Sequence, residues 1–236
     1  MKIIESIQIT RYENGCTLKK EDNVIAEYSL AISVNGIAAA DILCTPSSLR
    51  ELIIGFLFCK GIIQTKNDVK EILIEEGKRI ANVLLVPGAP ADGLSNIQQP
   101  SHDFTVSTAY ILKQANLFYG KSALFMATGA IHSCCLCDER DILYFEEDIS
   151  RHNAVDKVIG RALSDSVSFD STFLITSGRI PSDMMVKIIR CGIPIIVSRS
   201  APTDAAAAMA KEHGVTLAGF ARGSCMNIYS GEWRLK

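Results

Sequence analysis

The chain is poor in the features that mark membrane, polynucleotide-binding or disulfide-stapled proteins. No apolar run approaches the roughly 20 residues of a membrane-spanning helix. The start, Met1-Lys2-Ile3-Ile4-Glu5, lacks the apolar core of a secretory signal. A cytoplasmic protein without a membrane partner is expected. Charge is close to balanced, 24 Lys and Arg against 26 Asp and Glu, so no nucleic acid is expected as partner. There is no internal repeat and no low-complexity tract beyond the helix-favouring run Ala205 to Ala208. Eight cysteines are present, but Cys16, Cys44, Cys59, Cys191 and Cys225 stand singly, without the spacing of a disulfide framework. As thiols they are expected to pack as small apolar residues. What remains is a chain of 236 residues, 48% hydrophobic and 21% charged, long enough for one large domain or for a medium and a small one.

Pattern divides the chain in three. Residues 1–86 read as a small α+β unit: strands over Ile3–Thr10, Val24–Val34 and Ile37–Leu43, with Asn35-Gly36 as a two-residue hairpin turn. A helix is expected to open at Thr45-Pro46, with Pro46 at its first position, and to stop at Gly61. Strands at Ile72–Ile74 and Ile80–Val86 follow. Residues 87–103 turn to Pro, Gly, Ser, Asn and Gln and read as a linker. Residues 104–236 begin with a helix over Thr105–Phe118 and an apolar strand, Ala123–Ala127, leading into Thr128-Gly129. A strand over Ile131–Cys137 then turns back into Ile142–Phe145. Strands at 172–176, 193–198, 215–221 and 226–229 then alternate with helices at 181–190 and 203–213, the mark of an α/β sheet.

One stretch organises this second part, Glu146 to Gly160. An apolar strand enters it, carboxylates follow, and Ala154, Val155, Val158, Ile159 and Ala162 make a helical stripe behind Ser150 at the N-cap. The other face pairs His152 with Asp156 and Asn153 with Lys157 at i,i+4. The free N–H groups of such a helix start suit an anion, whereas the plainer reading is a capped surface helix. Thr128-Gly129, Thr176-Ser177-Gly178-Arg179 and Ser198-Arg199-Ser200 each place small or hydroxyl residues after an apolar strand, where ligands of open α/β sheets bind. Arg179, Arg199 and Arg222 on three such segments suggest a polyphosphate ligand, although a surface ion pair is the commoner fate of any one Arg.

Glu147–Gly160, Thr128–His132, Thr176–Arg179, Gly192–Pro194 with Ser198–Thr203, and Gly219–Gly223 with Asn227–Tyr229 together resemble the FdhD family, the formate dehydrogenase accessory sulfurtransferases. The segment Gly55–Ile63 is a weaker match in the right place, and Ile149-Ser150 stands where members usually have Val-Gly. The resemblance implies a cytidine-deaminase-like core in residues 104–236. It implies sulfur taken from a cysteine desulfurase and passed to a molybdenum or tungsten cofactor, molybdopterin guanine dinucleotide, before delivery to the formate dehydrogenase catalytic subunit. GDP is the expected analogue and a homodimer the expected assembly. The cofactor-binding residues carried over are Thr128, Gly129, His132, Asp148, Arg151, His152, Asn153, Asp156, Lys157, Ser177, Gly178, Arg179, Ser198, Arg199, Ser200 and the segment Gly219, Phe220, Ala221, Arg222, Gly223, Ser224 and Cys225. Phe220 offers a stacking surface, unless it is core, and Asp148 and Asp156 suit the N–H donors of a guanine edge.

Sulfur transfer needs a thiolate. Many family members carry a Cys-Gly-x-Cys-Gly segment near the linker, yet this chain has no cysteine between Lys60 and Cys134. The expected carriers are therefore Cys137 and Cys134, at Cys-x-x-Cys spacing. In a strand, Cys135 and Cys137 share one face while Cys134 sits with His132 on the other, and plain burial of all three is an equal reading. His132 with the three cysteines offers zinc or iron ligands, but four ligands in six residues do not easily close a tetrahedron. The zinc-deaminase His-x-Glu is absent, Cys134 standing where the Glu would be. A non-catalytic chaperone for the same cofactor is the alternative, and a metal-dependent hydrolase a lesser one.

Overall fold

A computed structural model describes residues 1–89 and 100–236. Two Asn-Gly turns shape its beginning. Asn14-Gly15 (φ 54° and 81°) closes β1 (Ile4–Glu13) on β2 (Cys16–Ile25). Asn35-Gly36 (φ 51° and 80°) closes β3 (Tyr28–Val34) on β4 (Ile37–Cys44), as the sequence requires. The expected strand Val24–Val34 is in fact two, and β2 is an addition: most of its residues are exposed, so no alternation marks it. With β5 (Val69–Glu75) and β6 (Ile80–Leu85), the second hairpin forms a four-stranded sheet in the order β4-β3-β6-β5. The helix α1 (Leu49–Cys59) begins later than Pro46, because Ser48 at its N-cap is left-handed (φ 48°) and turns the chain only there. Most of the expected linker, residues 87–103, lies outside the described residues.

The larger sheet runs β12-β11-β10-β9-β7-β8, from β7 (His132–Cys137), β8 (Ile142–Asp148), β9 (Phe173–Thr176), β10 (Ile195–Ser198), β11 (Thr216–Arg222) and β12 (Cys225–Ser230). Strands β9, β10 and β11 are parallel. Strand β7 opposes both β9 and β8, so β8 runs with the parallel set. Strands β9 and β10 are buried on both faces, which is why they read as unbroken apolar runs. Helix α2 (Thr108–Lys121) covers one face, packing Ile111, Ala115 and Phe118 on Cys135, Cys137, Phe173 and Val197. The other face carries α4 (Arg151–Ser164), α5 (Ser182–Cys191) and α6 (Asp204–Glu212). The run expected to enter Thr128-Gly129 as a strand is a short helix, α3 (Ala123–Thr128), capped by the Ser122 hydroxyl and ended by left-handed Gly129. The architecture is mixed α/β. Among the described residues no helix is long and apolar enough to cross a membrane.

The two sheets meet through α1 and α4, and one apolar cluster runs from Leu30, Leu52 and Ile53 to Val155, Ile159 and Leu174. Glycines allow the contact. A Cβ on Gly55 would stand 1.8 Å from the Asp156 carbonyl oxygen, and one on Gly160 1.9 Å from that of Glu51. Backbone therefore lies on backbone at the crossing.

Candidate functional site at the carboxyl edge of the sheet

Because β7 runs against its neighbours, its start lies beside the ends of β8 and β9. His132 faces Asp148 in the register, and Cys134 faces Thr176. A chain of hydrogen bonds joins this edge. Ser133 N–H donates to Ser177 Oγ at 3.0 Å, and His132 Nδ1 is 3.2 Å from the same hydroxyl. The Arg199 amide donates to the Thr176 carbonyl at 3.3 Å, and Ser198 Oγ donates to that of Gly178 at 2.6 Å. The Ser200 amide donates to Ser198 Oγ, and the Phe220 amide to the Ser200 carbonyl. The Arg222 guanidinium donates to the carbonyl of Arg199 at 3.1 and 3.2 Å. The ends of β9, β10 and β11 and the start of β7 thus make one edge.

The first turn of α4 leans over it. Ser150 Oγ accepts from the His152 amide, so the N-cap stands where expected. Arg151 lies directly on Gly178, where a Cβ would come within 2.8 Å of its side chain. Among the described residues, Arg151 Nε is buried without a hydrogen-bond partner, a cost a bound acceptor would remove. Arg179, Arg199 and Arg222 are exposed along the same rim. Burial holds the His132 imidazole below its usual pKa, helped by Arg151. Burial, with Lys187, does the same to His152, so both favour the neutral ring. Phe220 is not core: it is left-handed (φ 53°) at an irregularity between β11 and β12, and 41% exposed. A non-glycine residue held in that region on a rim is a candidate ligand contact.

Several expected site residues lie elsewhere. Asn153, Asp156 and Lys157 do not form an open face of α4, and Asp148 ends β8 buried beside them. That face is buried under the first sheet and α1, a cover that no local pattern announces. Lys157 Nζ sits 2.8 Å from Asp148 Oδ2 with both side chains fully buried, and it donates to the Glu147 carbonyl. Asn153 donates to Asp148 and to the Leu43 carbonyl, while Asp156 is clamped by Lys187 at 2.6 Å. These groups tie α4 to β4, β8 and α5. Ser198, Gly219 and Ala221 are buried, so they shape the edge from below. Thr128 donates to the Leu124 carbonyl, and Gly129 caps α3 with an exposed surface. Gly223, Ser224 and Cys225 form an exposed tip, where Asn116 grips Gly223 by both its amide and its carbonyl.

The cysteine expectation needs correction. Cys134 and Cys137 are fully buried on opposite faces of β7, so neither presents a thiol to a sulfur donor. Burial pushes the Cys134 thiol well up, the wrong direction for a nucleophile. Cys135 and Cys137 do share a face, sulfurs 3.7 Å apart. Alternation keeps His132 and the three cysteines from gathering round one ion. Sequence reasoning also missed Tyr119, whose ring lies under Arg199 at 5.0 Å, and Lys187, which stands 31 residues from the carboxylate it holds.

The family model described as the FdhD/NarQ family matches residues 25–90 and 86–236. The chain belongs to this family. It is 36% identical to the Listeria innocua protein named sulfur carrier protein FdhD, with 100% of each chain covered. It is 31% identical to the Bacillus subtilis protein of that name, covering 100% of this chain and 98% of the relative. A crystal structure from Desulfotalea psychrophila, described as a formate dehydrogenase accessory protein, is similar over 100% of both chains, with a TM-score of 0.89 and 29% identity. In family terms, the strand-end edge is built from the segments that carried the resemblance.

Proposed function

We propose that this chain is a sulfur carrier in formate dehydrogenase maturation. It accepts sulfur from a cysteine desulfurase and passes it to molybdopterin guanine dinucleotide, containing molybdenum or tungsten, bound at the carboxyl edge of the larger sheet. The loaded cofactor then goes to the formate dehydrogenase catalytic subunit. A cytoplasmic site of action, a homodimer and a cytidine-deaminase-like core belong to the same reading. The core is supported by a mixed sheet, with β7 and β12 reversed beside the parallel set and helices on both faces.

The observation that carries it is the joined edge itself. Ser177 and Gly178, Ser200, Phe220 and the orphaned Arg151 Nε meet there under three exposed arginines. Each part suits a guanine dinucleotide: planar guanidiniums for the phosphates, Gly178 for seating Arg151 at the edge, an exposed ring for stacking. The chain's own residues bind, orient and neutralise, while the neutral imidazoles of His132 and His152 remain able to hold a proton near the reacting end. The names borne by the relatives support the sulfur-carrying half.

Titration of GDP against the protein tests the edge. Saturable binding is expected, and Gly178→Ala, which must push Arg151 aside, should weaken it about tenfold, near 1.4 kcal/mol. Binding unchanged by both Gly178→Ala and Arg179→Ala would remove the site. The alternative, a chaperone that binds the cofactor without carrying sulfur, is favoured by the burial of Cys134 and Cys137. Incubation with a desulfurase and cysteine separates the two, since a carrier gains a sulfur that reductant removes.

A further inference from the structure

The β1–β2 ribbon stands apart from both larger sheets, joined to no other strand among the described residues. The body of the molecule touches it through α3, on the β2 side. A two-stranded ribbon is marginal by itself, and a ten-residue edge is a template for a further strand. The hairpin decides which backbone groups β1 presents there. Asn14-Gly15 is a two-residue turn, so Glu13 and Cys16 form a hydrogen-bonded pair, and bonds to β2 recur at every second residue. At the far end the Ala26 amide donates to the Ile3 carbonyl at 2.8 Å, in the same phase. Odd-numbered residues therefore bond inwards. Ile4, Ser6, Gln8, Thr10 and Tyr12 turn their N–H and C=O groups outwards, where no backbone group among the described residues meets them.

Open edges are commonly blunted with lysine or proline. Strand β2 carries Lys19 and Lys20, whereas Ile4–Glu13 has neither residue type. Ile7 is 45% exposed and Tyr12 73%. Laid antiparallel on a second copy of itself, with Gln8 opposite Gln8, β1 matches at every position. Glu5 meets Arg11, Ile7 meets Ile9, Ser6 meets Thr10 and Ile4 meets Tyr12, each pair occurring on both sides of the twofold axis. These are the opposite-charge, apolar, hydroxyl and aromatic–β-branched pairs that stabilise antiparallel strands. The outward-turned residues also face one another in this register, which supplies about ten hydrogen bonds between the chains. In the neighbouring registers the match fails. With Ile9 on Ile9, Glu5 would face Glu13 and Ile7 would face Arg11; with Ile7 on Ile7, Glu5 would face Ile9. Arg11 and Glu5 now hold exposed local partners, Glu13 at 3.2 Å and Lys2 at 3.7 Å, so both are within reach of a second chain.

We propose that β1 pairs with β1 of a second copy of this chain, in the register centred on Gln8, making a four-stranded sheet across a twofold axis. The proposal rests on the homodimer in the function proposed above and names its contact surface. Each chain uses its β1 edge once, so the contact closes at two copies. The outer edges of the new sheet are the two β2 strands, where Lys19 and Lys20 discourage further pairing.

The test is sedimentation equilibrium of the full chain over a concentration series. The unaltered protein should sediment as a dimer. Gln8→Pro removes an outward donor from each strand while leaving the bonds to β2 in place, and should weaken the dimer on the order of 100-fold. Arg11→Glu sets carboxylates opposite one another at two places and should weaken it about tenfold. Combining Glu5→Arg with Arg11→Glu should restore the unaltered affinity. Within one chain the two side chains stand roughly 20 Å apart along the strand, so that rescue reports a contact between chains. Should Gln8→Pro disturb the ribbon itself, seen as a lowered thermal melt, the charge exchange decides alone because it leaves the backbone as it was. A double variant that stays as weak as Arg11→Glu overturns the register. A dimer indifferent to both Gln8→Pro and Arg11→Glu overturns the strand assignment and leaves the homodimer standing. A chain that is monomeric at every concentration overturns both, and sulfur carriage keeps its own test.

Discussion

Replacing Gly160 by Ala puts one methyl group where two helix backbones touch. On helix propensity alone the change favours α4 by about 1 kcal/mol. The crossing opposes it. The new Cβ would lie 1.9 Å from the Glu51 carbonyl oxygen and 2.7 Å from the Gly55 nitrogen, both backbone atoms that no rotamer change can move. Reaching ordinary contact requires α1 and α4 to separate by roughly 1.5 Å, and a gap of even 0.5–1 Å forfeits about a quarter to a half of each facing contact. The side chains that lose partners are Leu52, Ile53, Val155 and Ile159, all buried. Overpacking of this kind costs up to about 3 kcal/mol, leaving a net loss near 2 kcal/mol after the propensity gain. In a chain of this size that lowers Tm by about 4–8 °C, which a thermal melt followed by circular dichroism resolves. Because α4 carries Arg151 and His152 to the edge, GDP affinity should fall too. A Gly160→Ala protein that melts at or above the unaltered one would refute the backbone-contact reasoning.

Lys157→Met should cost about 3–5 kcal/mol in urea unfolding, since it strands the fully buried Asp148 carboxylate; adding Asp148→Asn should recover part of that loss. The histidines set a pH response. Both His132 and His152 are held below the usual His range, so on acidification the unfolded chain takes up their protons first. Their contribution to stability is whole above the ordinary His pKa and is lost as pH falls through it towards the lower folded values. Unfolding followed between neutral pH and pH 5 should show that loss, and His132→Gln with His152→Gln should flatten it; an unchanged slope would sink the assignment.

Local chemistry carried much of this into the sequence. Asn35-Gly36 demanded a hairpin, Ser150 demanded a cap, and small residues after apolar strands pointed to one rim. Strand β2 was invisible because its exposed residues need no apolar alternation. The polar face of α4 misled for a different reason. Asn153, Asp156 and Lys157 have the spacing of a solvated face, yet they are covered by elements far away in the chain.

The stitched strand ends have a consequence for synthesis. Their last stitches join Ser200 to Phe220 and Arg199 to Arg222, so no earlier part of the chain can make them. A nascent polypeptide halted before that hairpin has the ends of β9 and β10 without the Phe220 and Arg222 that close the rim. The whole rim exists only in a nearly finished molecule.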